Sequence, residues 1–242
     1  MSKYSASARW SFRLALMGIV IVTLAVFVQR LELMDFRVAM AGLVGGFVLG
    51  LLAVFMSVIS LLLALRAKAS GIFSAWAGLI LGLLVTSPVL MTIYAASSVP
   101  AIHDISTDLK NPPEFVAMLA LRTDNHNPLD RKNPTELATL QQVAYPGIVP
   151  VFIDQNVNQV FEKAHALVIA RGWEIVAASA QQGRIEATAT TPIMGFKDDI
   201  VIRLRGASGG TMVDMRSVSR VGKSDLGANA KRIEEFMVAL RN

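Results

Sequence analysis

Four groups of residues in this sequence are of types, and at spacings, that could do chemistry: Gly222-Lys223-Ser224, the pair His103-Asp104, the pair Asp198-Asp199, and the arginines Arg203, Arg205, Arg216 and Arg220. The glycine-lysine-serine triplet falls between an expected strand and an expected helix, as a phosphate-binding loop would. That loop also needs a glycine five positions before Gly222, where Ser217 stands. The triplet therefore reads as the approach to a helix whose N-terminus Ser224 or Asp225 caps. His103 and Asp104 offer metal ligands, but His126 and His165 are the only other histidines and there is no cysteine. Neither a His-rich nor a thiolate site is expected, and no metal or cofactor is assigned, although a carboxylate-rich Ca²⁺ site stays open. The plainer role of the pair is to pin the chain as it leaves the last apolar segment.

Asp198 and Asp199 are neighbours on an expected strand and so point to opposite faces, which prevents them from sharing one substrate as general acid and base. One is expected to begin the strand and the other to face water. Arg203 and Arg205 share a strand face, and Arg216 falls opposite them on the hairpin partner with Asp214 beside it. Guanidinium groups grip phosphate and carboxylate in bidentate fashion. Together with His103, Asp104 and Asp108, these arginines and Arg220 make a candidate site for an anion or a lipid headgroup. The favoured alternative is a solvated sheet face with cross-strand ion pairs. No Gly-x-Ser-x-Gly elbow occurs, so a nucleophilic triad has no support.

The elements that must position these residues lie after Pro150. Val157, Val160, Phe161, Ala164, Leu167 and Val168 keep one apolar face through a helix that Gly172 ends. Trp173–Ser179 and Arg184–Thr190 read as one hairpin, Asp199–Arg205 and Thr211–Val218 as a second. Leu226, Ala230, Ile233, Met237 and Leu240 give the apolar face of a closing helix. Helix, four strands and helix predict an α+β domain over 151–242, an antiparallel sheet with flanking helices. Seven of the nine prolines fall between Pro100 and Pro150, so 98–150 is expected to be irregular, with short helices able to start at Pro113 and Pro134.

Residues 1–97 are different in kind. Apolar stretches at about 11–28, 38–65 and 72–96 are long enough to cross a hydrocarbon core. No small-x-small cleavage site follows the first, so it is read as an uncleaved helix. The 242-residue chain has 23 Lys plus Arg and 18 Asp plus Glu. Lys3, Arg9, Arg13, Arg30, Arg37, Arg66 and Lys68 against Glu32 and Asp35 account for the whole net charge of +5, which leaves 16 of each sign after Ser97. A basic soluble surface is therefore missing, and nucleic acid is not an expected partner. Lys3, Arg9, Arg13, Arg66 and Lys68 on one side outweigh Arg30, Arg37 and Lys110 on the other, which predicts a cytoplasmic N-terminus and an extracytoplasmic C-terminal domain. In a Gram-negative bacterium that means the inner membrane and the periplasm. Gly42, Gly46, Gly50, Gly78 and Gly82 recur at helical spacing and predict close helix–helix packing within the chain, homo-oligomerisation being the alternative. Mid-span Asp, Glu, Lys and His are lacking, which argues against transport.

Four stretches carry a family resemblance: Pro100 to Asp108, Gly183 to Thr190, Gly195 to Arg203, and Val213 to Asn229. In this order they resemble the domain-of-unknown-function family fourteen ninety-nine, over about 99–240. The resemblance implies no activity and no catalytic residue. The expected function is a membrane-anchored extracytoplasmic accessory or interaction module, with the lipid bilayer and another envelope protein as partners. A binding domain for an anionic lipid or metabolite on the arginine face, and an unrecognised hydrolase, are the alternatives.

Overall fold

The computed structural model describes residues 6–67, 71–131 and 133–242. Lys3 and Lys68, two of the residues weighed for orientation, lie outside the described residues. The chain divides into two compact units, Met1–Ala95 and Ala96–Asn242.

The first unit consists of α1 (Ala6–Arg30), α2 (Phe36–Ala67) and α3 (Ile72–Ser97). At 25, 32 and 26 residues they exceed the roughly 20 that a bilayer core requires, and all three are apolar enough to cross one. Their side chains are arranged inside out relative to a water-soluble bundle. Large residues such as Phe27, Phe55 and Leu84 are exposed, whereas Ser11, Ala15, Ala53, Ala75 and Thr86 are buried. Small residues let backbones approach, and this drives packing where lipid tails are as apolar as leucine. All five glycines expected to serve this purpose face another helix. A methyl group on Gly42 would come 2.8 Å from Ala25, one on Gly46 3.1 Å from the Gly18 carbonyl, and one on Gly50 2.8 Å from Thr86. On Gly78 it would come 2.9 Å from the Phe12 nitrogen, and on Gly82 3.0 Å from the Gly50 carbonyl.

The second unit is built on a sheet of six strands: β1 (Asp104–Ser106), β2 (Val151–Ile153), β3 (Glu174–Ser179), β4 (Arg184–Thr190), β5 (Lys197–Ala207) and β6 (Gly210–Ser219). The order is β1-β6-β5-β4-β3, with β2 also on β6, and every pairing is antiparallel. Two strands more are present than the sequence periodicity predicts. β1 and β2 are three residues long, too short to display an alternation. Likewise 98–150 is not simply irregular. It holds β1, a 3-10 helix (Ala117–Leu121) and α4 (Pro134–Ala144), which starts at the expected Pro134; no helix starts at Pro113.

Strand alternation sorts the sheet into two faces. Ile105, Ile185, Ala187, Ile200, Ile202, Val213 and Met215 fill one face and are fully buried. α5 (Val157–Ala170) and α6 (Ala228–Arg241) cover it with Val160, Ala164, Val168, Ile233, Phe236 and Leu240. α5 begins with a capping box, Asn156 accepting from the Gln159 N–H and Gln159 from the Asn156 N–H. In the β3–β4 turn, Gly183 has φ +58 and faces the Leu204 carbonyl so closely that no side chain fits there. α4 guards the β1 edge: the Gln141 amide donates to the Ser106 carbonyl at 2.7 Å and accepts from its N–H at 3.0 Å, as a neighbouring strand would.

A Gly82→Val substitution is expected to lower the stability of the detergent-solubilised chain by about 1–3 kcal/mol through overpacking. Gly45→Val is the control, because nothing lies within 4 Å of that position. Thermal unfolding followed by size-exclusion fluorescence distinguishes the two.

Candidate functional site

The second face of the sheet carries charge. Glu186 and Thr188 on β4, Asp199, Arg203 and Arg205 on β5, and Asp214 and Arg216 on β6 all project there, since cross-strand partners share a face. Yet this face is not solvated. Residues 108–131 run across it as a strap, and Phe115, Met118 and Leu129 pack on Val201 and Val218. Glu186, Asp199 and Asp214 are fully buried, and Asp104 and Arg216 nearly so.

Each buried carboxylate has its own set of donors. Asp104 sits between two guanidinium forks: Arg131 donates at 2.9 and 2.7 Å, Arg216 at 3.0 and 2.8 Å. Asp199 accepts from Arg122 at 2.7 Å, from Arg220 at 2.9–3.1 Å and from the Thr188 hydroxyl at 3.0 Å. Asp214 accepts from Arg203 at 3.1 and 3.0 Å and from Arg205 at 2.8 Å. Glu186 accepts from three successive backbone N–H groups, those of Val116, Ala117 and Met118, at 2.9, 3.2 and 2.8 Å. A carboxylate is well placed there, at the opening turn of the 3-10 helix, where N–H groups lack intrahelical partners.

The pairing is reciprocal between sheet and strap. Arg122 and Arg131 reach from the strap to sheet acids, while Arg203 reaches Asp108 at 3.1 Å and Arg216 reaches the carbonyls of Pro113 and Leu129 at 3.3 and 2.6 Å. Asn127 completes the closure by donating to the carbonyls of Ser219 and Gly222 at 3.1 and 2.8 Å.

The expected site residues thus fall out as follows. Arg203, Arg205, Arg216 and Arg220 do share one face, and each is held by at least one carboxylate of the same chain. Arg205, whose side chain is 47% exposed, is the most open of the four. Asp104 and Asp108 belong to the same network. His103 lies just before β1, and its carbonyl accepts from the Ser219 N–H and the Asn229 amide, both at 3.0 Å. Asp198 and Asp199 point to opposite faces as expected, but neither faces water. Asp199 belongs to the network, and Asp198 is gripped by Arg232 of α6 at 2.6 Å on the helix-covered side. Helix and strap cover both faces at this point, which leaves no exposed position.

Sequence reasoning missed Arg122, Arg131 and Glu186. Their signal was present: period-two alternation puts Glu186, Asp199 and Asp214 on the face that holds Arg184, Arg203, Arg205 and Arg216, and a buried acid requires a donor from whatever covers it. Ser224 or Asp225 was expected to cap α6; the cap position is Gly227, while Asp225, two residues earlier, accepts from the N–H groups of Gly227 and Asn229, both at 2.9 Å.

Electrostatics separate two of these acids. Burial pushes the Asp104 carboxyl up, but the hydrogen bonds and charges of Arg216 and Arg131 outweigh it and hold it below its ordinary 3.8. Its stabilising contribution is therefore present above that value and lost as pH falls through the folded one. Asp225 behaves oppositely. Burial raises it, the Gly227 and Asn229 N–H groups partly offset that, and the charge of Asp198 adds to the rise.

Beside the network, an open groove of about 540 Å³ runs along α4. Lys110, Thr135, Thr139, Gln142, Tyr145 and Pro150 are among its walls. Among the described residues no cluster of three His, Asp or Glu side chains is spaced to hold a metal ion.

Three apolar helices of membrane-spanning length, followed by a mixed α/β domain with an antiparallel sheet and a charge-clamped strap, define the class of protein. The chain belongs to the family described as protein of unknown function (DUF1499), whose model matches residues 104–240. No curated protein matches it.

Asp199→Ala strands two guanidinium groups beneath the strap, and it is expected to cost about 3–5 kcal/mol in thermal unfolding of the full chain. The raised Asp225 makes the fold lose stability as pH rises from 3.8 through its folded value, so Asp225→Asn, which removes this titration although it can accept from only one of the two N–H groups, should show a flatter profile of thermal stability against pH.

Proposed function

We propose that this protein is a membrane-anchored accessory module whose domain, held outside the cytoplasm, binds another envelope component and performs no chemistry on it. The observation that carries this reading is how the domain deploys its charged side chains. The acids and arginines that could serve as catalytic groups are tied to one another beneath the strap. A general acid or base has to exchange protons with a substrate, and a carboxylate enclosed by guanidinium forks is poorly suited to that. What the domain turns outward along α4 is a groove of hydroxyls, amides, prolines and aliphatic side chains with Asp108 and Lys110 among them, a surface able to hold a ligand in place. The excess of Arg and Lys at the N-terminus and beside the second connection, over Arg30 and Arg37 at the first connection and Lys110, supports a cytoplasmic N-terminus, and three crossings would then carry the domain to the other side.

The anionic-ligand reading narrows under the same geometry. Arg203, Arg216 and Arg220 are matched by Asp214, Asp104 and Asp199, so an anion would have to be met through Arg205 at the rim.

The chain has no cysteine, so a single Thr135→Cys places one reactive group in the groove. Treatment of intact cells with a membrane-impermeant cross-linker is expected to give one discrete adduct of defined stoichiometry. Bulky substitution of Thr139 and Gln142 together should abolish it. Labelling only after lysis would overturn the orientation, and labelling without an adduct would overturn the partner.

A further inference from the structure

The helical unit has a cleft of its own. It lies between the N-terminal ends of α1 and α3, has a volume of about 330 Å³, and is lined by Arg9, Phe12, Arg13 and Ser74. Its origin is in the packing of the two helices. At Gly78 they touch, since a methyl group there would come 2.9 Å from the Phe12 nitrogen. One turn nearer the start of α3, Ser74 faces Phe12 and the two arginines across the cleft instead.

The cleft is basic, and nothing within the unit offsets its charge. Arg9 and Arg13 are four residues apart and share a face of α1. Residues 1–97 contain two acids, Glu32 and Asp35, and both lie in the connection beyond the far end of α1. Arg13 is about 25 Å of helix from that end, which is well over a Debye length. Ser74 belongs to the first turn of α3, whose N–H groups lack intrahelical partners and add a partial positive charge.

The surroundings are those of a headgroup layer. Trp10 and Trp76, one residue after Arg9 and two after Ser74, are each about half exposed, as aromatic residues are at a membrane–water interface. The Arg13 guanidinium lies over the Trp10 ring, 5.6 Å from its centre. Deeper along α1, Leu16, Met17 and Val20 continue the face of Arg13 and are all exposed.

We propose that this cleft binds the phosphate of an anionic phospholipid. Two guanidinium groups can grip one phosphodiester between them, and the aliphatic face below Arg13 gives an acyl chain a path into the bilayer. A net-anionic headgroup is preferred to a zwitterionic one, because the ammonium of the latter brings positive charge to a site that already holds two cations. A lipid seated there braces α1 against α3 where their own contact ends. The proposal rests on the three helices crossing a bilayer; it is independent of the side on which the N-terminus lies and of any partner of the C-terminal domain.

Native mass spectrometry of the full chain in detergent, with phosphatidylglycerol and phosphatidylcholine added in equal amounts, tests it. One phosphatidylglycerol per chain is expected to survive activation that strips phosphatidylcholine. Arg9→Gln with Arg13→Gln should reduce that retention several-fold, whereas Arg30→Gln with Arg37→Gln, at the opposite end of the helices, should leave it unchanged. Ser74→Trp fills the cleft with both arginines in place and should also remove the lipid. The arginines are exposed, so their replacement leaves the fold intact, which thermal unfolding without lipid verifies. Equal retention of the two lipids, or equal loss in the two double variants, would overturn the proposal. Excess glycerol phosphate is expected not to displace the lipid; complete displacement would assign the cleft to a soluble phosphate and overturn the lipid as its occupant.

Discussion

The neutralisation of carboxylates on the second face of the sheet is the constraint on which the domain depends. One face follows the ordinary rule, with aliphatic side chains under two amphipathic helices. The other carries Glu186, Asp199 and Asp214 into full burial. An ionised carboxylate withdrawn from water costs several kcal/mol unless donors surround it, so whatever covers this face must bring guanidinium or N–H groups in register. The strap meets that requirement with Arg122, Arg131 and the three N–H groups at 116–118. Its apolar contribution is small, chiefly Phe115, Met118 and Leu129. Its path is accordingly set by charge matching more than by regular secondary structure.

The helical unit solves the opposite problem. Lipid offers no hydrophobic gain on burial, so contact distance decides, and glycine, alanine and serine occupy the buried positions while leucine and phenylalanine face outward. One chain therefore holds itself together by two kinds of complementarity, shape in the helices and charge beneath the strap.

The two kinds were not equally legible in the sequence. The apolar helices announce themselves by length, and the glycine ridge by its spacing. α5, α6 and the two long hairpins follow from period, because a helix or strand half-buried on one side leaves an alternation to read. β1 and β2 leave none in three residues each. Their pairing with β6 is a property of residues more than 50 positions away, as the Asp104–Val218 and Val151–Val213 registers show. The charged face was read correctly for side and incorrectly for environment, since a solvated face was favoured and Glu186, Asp199, Asp214 and Arg216 are buried. Alternation tells which way a side chain points but not what lies above it, and the cover comes from a proline-rich stretch with no period of its own. The arginines of that stretch were the available clue, since an even balance of charge in the domain allows every buried acid a partner.

The pairing of Asp104 with Arg216 has a consequence for the order in which the domain can form. The two residues lie 112 positions apart, with the strap and most of the sheet between them. As the chain is made from its N-terminus, the helices and the first strand are complete long before β6 exists to receive them. Until then Asp104 has Arg131 but lacks the second of its two guanidinium forks, and long-range contacts of this kind close slowly. The domain can thus be completed only after β6 and α6 have been made, long after the apolar helices that precede it in the chain.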